Sequence, residues 1–175
     1  STRGVASPDH VIRTKSEVLW LPRRVWNEGR AGLDQAVASY IGRYKEYFDR
    51  HAATATDTKT MVTPTPNLAW IEDIGLIGIG ANATEAAIAA DLGEQNIRVR
   101  GVCEDHGGFM PIGEADDFAM EYWSLEQAKL GKASVPELTG CIVVVTGGAG
   151  AIGATTAAAF MAQGAEVMLC LLYTS

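Results

Sequence analysis

Apolar positions recur at helical spacing between Leu33 and Arg50. Val37, Ile41 and Tyr44 stand at i, i+4 and i+7, and Phe48 continues the stripe. That spacing predicts an amphipathic helix. Residues 1–30 lack the pattern; Pro8, Pro22 and scattered charges predict an extended segment lying on a larger body. The Thr-, Ala- and Pro-rich stretch from His51 to Pro66 reads as a loop. Leu68–Ile71 and Ile74–Ile79 predict two short strands joined at Glu72-Asp73, with Gly75, Gly78 and Gly80 weakening the second but permitting close backbone approach. Asn82 and Glu85 form a capping pair ahead of an Ala-rich helix running from about Ala83 into the Val99–Cys103 region. Gly107-Gly108 interrupts it, and a further helix is expected from Glu114 to Leu130, acidic in its first turn. Its Phe118, Tyr122 and Leu125 share a face; Phe118, Tyr122 and Trp123 read as packing core rather than a binding box.

Beyond Gly131–Gly140, a Gly-, Ser- and Pro-containing linker, the pattern changes. Cys141 to Val145 is an apolar run, as expected of a parallel strand buried on both faces. Ala151 to Gln163 predicts an Ala-rich helix ended by Gly164 at C′, and Ala165 to Cys170 predicts a second strand. The fold expected is α/β: an α/β module over 1–130, the linker 131–140, the first βαβ unit of a Rossmann fold over 141–170, and a truncation scar over 171–175. A dinucleotide-binding domain needs far more chain than follows residue 141, so the sequence reads as a fragment crossing from one domain into the next.

Composition narrows the classes. The 175 residues are 47% hydrophobic and 20% charged with a net charge of −7, a globular profile that argues against a nucleic-acid surface. No apolar run reaches the length of a membrane-spanning helix, and the first residues hold no secretory signal. Cys103, Cys141 and Cys170 are widely spaced, predicting reduced, mostly buried thiols in a cytoplasmic protein. His10, His51 and His106 show no metal-ligand spacing, and His106 reads as a loop histidine.

The chemistry concentrates in Thr146-Gly147-Gly148-Ala149-Gly150-Ala151-Ile152-Gly153, a glycine turn between a strand and a helix. A dinucleotide pyrophosphate needs backbone without side chains and free amides at a helix N-terminus. Thr146, Gly147, Gly150, Ala151, Ile152 and Gly153 are therefore the expected cofactor-binding residues. The stretch resembles the short-chain dehydrogenase/reductase superfamily, fitting its TGxxGxxG form through Gly147, Gly150 and Gly153; Ala151 departs from the TGxxxGxG form. The resemblance implies NAD or NADP, and the acidic residue that would discriminate them is absent from Leu171–Ser175. Family chemistry is carried by a Tyr-x-x-x-Lys pair. None of Tyr40, Tyr44, Tyr47, Tyr122 and Tyr173 has a lysine four positions on, so no catalytic residue is assigned.

Three blocks resemble the bifunctional rhamnulose-1-phosphate aldolase/alcohol dehydrogenases, in which a class II, adducin-like aldolase module precedes a short-chain dehydrogenase. They are Ser7–Lys15, Gly75–Gly80 with Ala86–Asp91, and Glu121–Leu130. The resemblance implies retro-aldol cleavage of rhamnulose 1-phosphate, oxidation of the lactaldehyde formed, a small-molecule substrate and, in the full-length protein, a homo-oligomer. Zinc-binding histidines of the aldolase part would lie upstream of Ser1, so no metal ligand is assigned within this chain. Asp9, His10, Arg13 and Lys15 are read as a solvated connector or, alternatively, a phosphate-facing polar cluster. A sugar-nucleotide epimerase or dehydratase, and a noncatalytic adducin-like interaction module, remain the alternatives.

Overall fold

The computed structural model describes residues 4–124 and 136–171 of a mixed α/β chain. The chain divides into two compact units, Ser1–Ile79 with Ala86–Gly131 and Gly80–Glu85 with Lys132–Ser175.

The first unit is built on a three-stranded sheet, β1 (Leu19–Leu21), β2 (Leu68–Ile71) and β3 (Gly75–Gly78), in that spatial order. β1 runs parallel to β2, and β2 and β3 form the expected hairpin. The two-residue side-chain period sends Leu19, Leu21, Ala69 and Ile71 to one face, where they pack on Tyr40 of α3 (Gly29–Ala52) together with Ala36 and Val37. Leu68 and Leu76 occupy the other face beneath α4 (Ala83–Asp105). There the approach is close. A Cβ on Gly93 would come within 2.6 Å of Leu76 Cδ2, and one on Gly78 would collide with the Ala86 carbonyl. The sheet thus lies between two long helices. The cap that starts α4 is as expected: Asn82 Oδ1 accepts from the Glu85 N–H at 2.9 Å, and a Glu85 carboxylate oxygen accepts from the Ala81 N–H at 3.0 Å.

Residues 4–30 are not an extended strap. Pro8 stands at the start of α1 (Pro8–Thr14), where its missing N–H costs nothing, and Asp9 suits the first turn. Val11, Ile12 and Thr14 are buried, β1 follows, and α2 (Arg23–Asn27) leads into α3. The helix expected from Glu114 to Leu130 is shorter in its described part: α5 (Glu114–Glu121) is capped by Tyr122, and residues 125–130, with Leu125, lie outside the described residues. Phe118 and Tyr122 are core, stacked 4.6 Å apart and joined by Phe48. Trp123 is not; it follows the cap, leaves the helical stripe and is 45% exposed.

The second unit pairs β4 (Ile142–Thr146) with β5 (Glu166–Cys170) in parallel, joined through a helix labelled α6 (Ala151–Ala162). Gly164 takes the left-handed C′ position at φ +88°. Its N–H donates to Met161 O at 2.9 Å, and the Ala165 N–H donates to Phe160 O at 3.2 Å. β4 is not buried on both faces. Val145 is buried while Ile142 is 75% exposed, because one helix over two strands leaves the rest of the sheet uncovered. Of the expected linker, residues 131–135 lie outside the described residues and 136–140 form a turn. The thiols also depart from expectation: Cys141 and Cys170 are exposed and Cys103 is half-buried, all three unpaired. Among the described residues no helix is long and apolar enough to cross a membrane.

Candidate functional site

In the second unit, Thr146 ends β4 and Gly147 turns the chain at φ +69°. The Gly147 N–H donates to Cys170 O at 2.9 Å, tying the loop to the end of β5, and the Gly150 N–H donates back to Gly147 O at 2.9 Å. Gly150 is the N-cap of α6, and no side chain caps that end. A Cβ on Gly153 would collide with the Gly147 carbonyl, so only glycine lets the first turn of α6 lie against the loop. All six residues expected to bind a cofactor, Thr146, Gly147, Gly150, Ala151, Ile152 and Gly153, line one open groove of about 800 Å³. The residues fit a dinucleotide pyrophosphate: the surface is bare backbone, and an uncapped twelve-residue helix directs its N-terminal dipole at the groove.

The first unit holds a second arrangement, which sequence reasoning missed. A cavity of about 600 Å³ is lined by Lys15, Ser16 and Glu17 after α1, by Arg43, Tyr44, Glu46, Tyr47 and Arg50 of α3, and by Glu114, Asp117 and Glu121 of α5, with Gly4, Pro111 and Ile112. Glu121 is 2% exposed. The Tyr44 hydroxyl donates to its Oε1 at 2.6 Å, and the Tyr47 hydroxyl donates to its Oε2 at 3.1 Å. The Tyr122 hydroxyl lies 2.7 Å from that of Tyr44. Lys15 is 6% exposed; its Nζ donates to Asn67 Oδ1 at 2.8 Å and sits 5.1 Å from the centre of the Tyr44 ring.

Burial governs the ionisation of this cluster. Desolvation raises Glu121 despite the tyrosine hydrogen bonds and the Lys15 charge, and lowers Lys15 despite the Glu121 charge. It raises Tyr44 and Tyr47, with the Glu121 carboxylate adding to both shifts, and pushes Tyr122 up to about 12. Asp117 is likewise raised by desolvation. At the mouth, Arg43 binds Glu17 at 2.5 Å, while Arg50 at 3.0 Å and His51 at 2.7 Å converge on Glu114, whose pKa they lower.

Asp9, His10, Arg13 and Lys15 are not a solvated connector: Asp9, His10 and Arg13 line one pocket of about 630 Å³ with Asp91, and Lys15 alone lies outside it. His10 is buried, with Nδ1 2.6 Å from Ser7 Oγ, and desolvation lowers its pKa; Asp9 is exposed, and Lys15 turns toward Tyr44. His106 is the exposed histidine expected, its Nδ1 2.8 Å from Val102 O. Tyr44, Tyr47, Asp117 and Glu121 left one trace in the sequence: polar atoms on otherwise apolar helical faces. Among the described residues no group of three or more His, Cys, Asp or Glu could hold a metal ion.

Comparison with known proteins adds to this geometry. The chain is similar to an uncharacterized oxidoreductase, YuxG, of Bacillus subtilis (strain 168), 27% identical over 174 residues that cover 95% of this chain and 24% of the relative. The chain therefore spans about a quarter of the length of that curated relative. No solved structure matches. The model of the family described as aldolase class II, second domain, matches residues 1–130. With nearly three quarters of its length matched, the chain belongs to the aldolase class II second-domain family.

Proposed function

We propose that this chain is part of a bifunctional enzyme in which an aldolase-like module is followed by an NAD- or NADP-dependent dehydrogenase of the short-chain type. The observation that carries the reading is the glycine loop between parallel strands, with its uncapped helix and the position at Gly153 that excludes any side chain. Gly147, Gly150 and Gly153 would give the pyrophosphate its approach, and the amides of Ala151, Ile152 and Gly153 would face its charge. A bound nicotinamide supplies a hydride acceptor. The similarity to a protein named as an oxidoreductase points the same way.

Following the family resemblance, the complete protein would cleave rhamnulose 1-phosphate by retro-aldol chemistry and oxidise lactaldehyde. It would act as a cytoplasmic homo-oligomer. In this reading residues 131–140 link the two modules.

The test is titration of the 175-residue chain with NADH and NADPH, read by nicotinamide fluorescence. Saturable binding is expected, and Gly153→Val should abolish it while circular dichroism stays unchanged. Absence of binding by the folded wild-type chain, or equal binding by the folded variant, would overturn the assignment.

A further inference from the structure

We infer that the cavity in the first unit is a carbonyl-binding site in which Lys15 acts as an amine nucleophile toward small aldehydes or ketones, forming an imine. This goes beyond the dinucleotide reading and does not depend on it. Three observations converge. Lys15 lines a cavity of about 600 Å³, large enough for a small metabolite, yet its side chain is shielded from bulk water. Asn67 Oδ1 and the Tyr44 ring fix the amine, reducing the entropy lost on attack. Glu121, a carboxyl on the same wall, interacts electrostatically with that amine and is positioned by Tyr44 and Tyr47.

A desolvated lysine is the common source of a neutral amine near neutral pH, and the direction of the Lys15 shift agrees. Glu121, with its affinity for a proton raised by the same burial, is suited to shuttle one. In the step, the Nζ lone pair attacks the carbonyl carbon while the C=O π pair moves to oxygen; the Glu121 carboxyl protonates that oxygen and takes a proton back from the nitrogen, giving a neutral carbinolamine. The Glu121 carboxyl then protonates the departing hydroxyl, the nitrogen lone pair closes the C=N bond, and the nitrogen returns a proton to Glu121. One carbonyl compound and one amine become one imine and one water, with no change of oxidation state.

The experiment is reductive trapping on the 175-residue chain at pH 7 with propionaldehyde and sodium cyanoborohydride, followed by peptide mass mapping. Exposed Lys45 serves as the internal reference. Burial favours the neutral form of the Lys15 amine, so labelling at Lys15 is expected to outpace that at Lys45 several-fold. Glu121→Gln should slow trapping at Lys15 and leave Lys45 unchanged. Labelling of Lys15 no faster than Lys45, including no labelling because the aldehyde fails to enter, would overturn the proposal. So would equal trapping rates in the wild-type chain and in folded Glu121→Gln. If Glu121→Gln does not fold, the Lys15-to-Lys45 ratio in the wild-type chain decides alone.

Discussion

The Tyr44 hydroxyl donates to Glu121 Oε1 at 2.6 Å although 77 positions separate the two residues. The bond joins α3 to α5 inside the first unit, and it satisfies a carboxyl that is otherwise taken out of water.

Removing that donor should be costly. Tyr44→Phe keeps the ring but deprives buried Glu121 of a short hydrogen bond, and a buried polar group left without its partner costs about 1–3 kcal/mol. Urea denaturation should show a loss of that order. A cost below about 0.5 kcal/mol would mean the hydroxyl finds water equally well in the folded chain.

The pH dependence follows from Glu121 and Asp117, both raised by burial. A folded pKa above the unfolded one means the native state holds the proton more tightly. Their contribution is therefore fully present below the ordinary carboxylate range and is lost as pH rises through the folded values. Lys15, lowered by burial, has the opposite sense: its contribution is full above its ordinary range and falls as pH drops through its folded value. Glu114, lowered by His51 and Arg50, loses its contribution as pH falls, but it is exposed and screened. The urea midpoint should thus decline as pH rises from the ordinary carboxylate range, about pH 4, through the raised folded values, and Glu121→Gln should flatten the decline. An unchanged slope in that variant would refute the attribution.

The aromatic cluster gives a third expectation. Phe118 stands within 6 Å of the rings of Tyr47, Phe48, His51 and Tyr122. Phe118→Ala should remove about 3–5 kcal/mol, detectable as a lowered thermal midpoint. A shift no larger than that of an exposed Trp123→Ala control would show that the cluster contributes no special packing.

Two glycines predict opposite signs for one substitution. Gly42 lies inside α3 with open space beside it, so Gly42→Ala should stabilise by about 0.5–1 kcal/mol. Gly78→Ala would drive a methyl into the Ala86 carbonyl and push α4 off the sheet, costing on the order of 1–3 kcal/mol or more. Equal effects in calorimetry would contradict the close packing of β3 and α4.

Where a residue's role depends on near neighbours, it was legible in the sequence. The Asn82–Glu85 cap, the hairpin at Glu72-Asp73 and the Gly164 helix stop are set within a few positions, and the structure has each of them. The glycine loop was legible for the same reason. The Tyr44–Glu121 and Lys15–Asn67 bonds were not, because nothing local distinguishes a buried tyrosine or lysine from one at the surface. Pro8 misled by a different route: proline suits an extended chain and a helix start equally, and the burial of Val11 and Ile12 decides which prevails.

Lys15 carries one more consequence. Its backbone has φ 61° and ψ 166°, territory that is almost exclusively glycine's and costs a side-chain-bearing residue about 1–3 kcal/mol. Its N–H closes α1 by donating to Val11 O at 3.0 Å, so the twist that ends the helix also swings the amine inward to Asn67. Main-chain comfort and side-chain purpose are therefore opposed at a single position. Glycine would relax the backbone and empty the cavity wall of its amine; lysine keeps the amine only while the surrounding packing holds the chain in a posture it would not adopt alone.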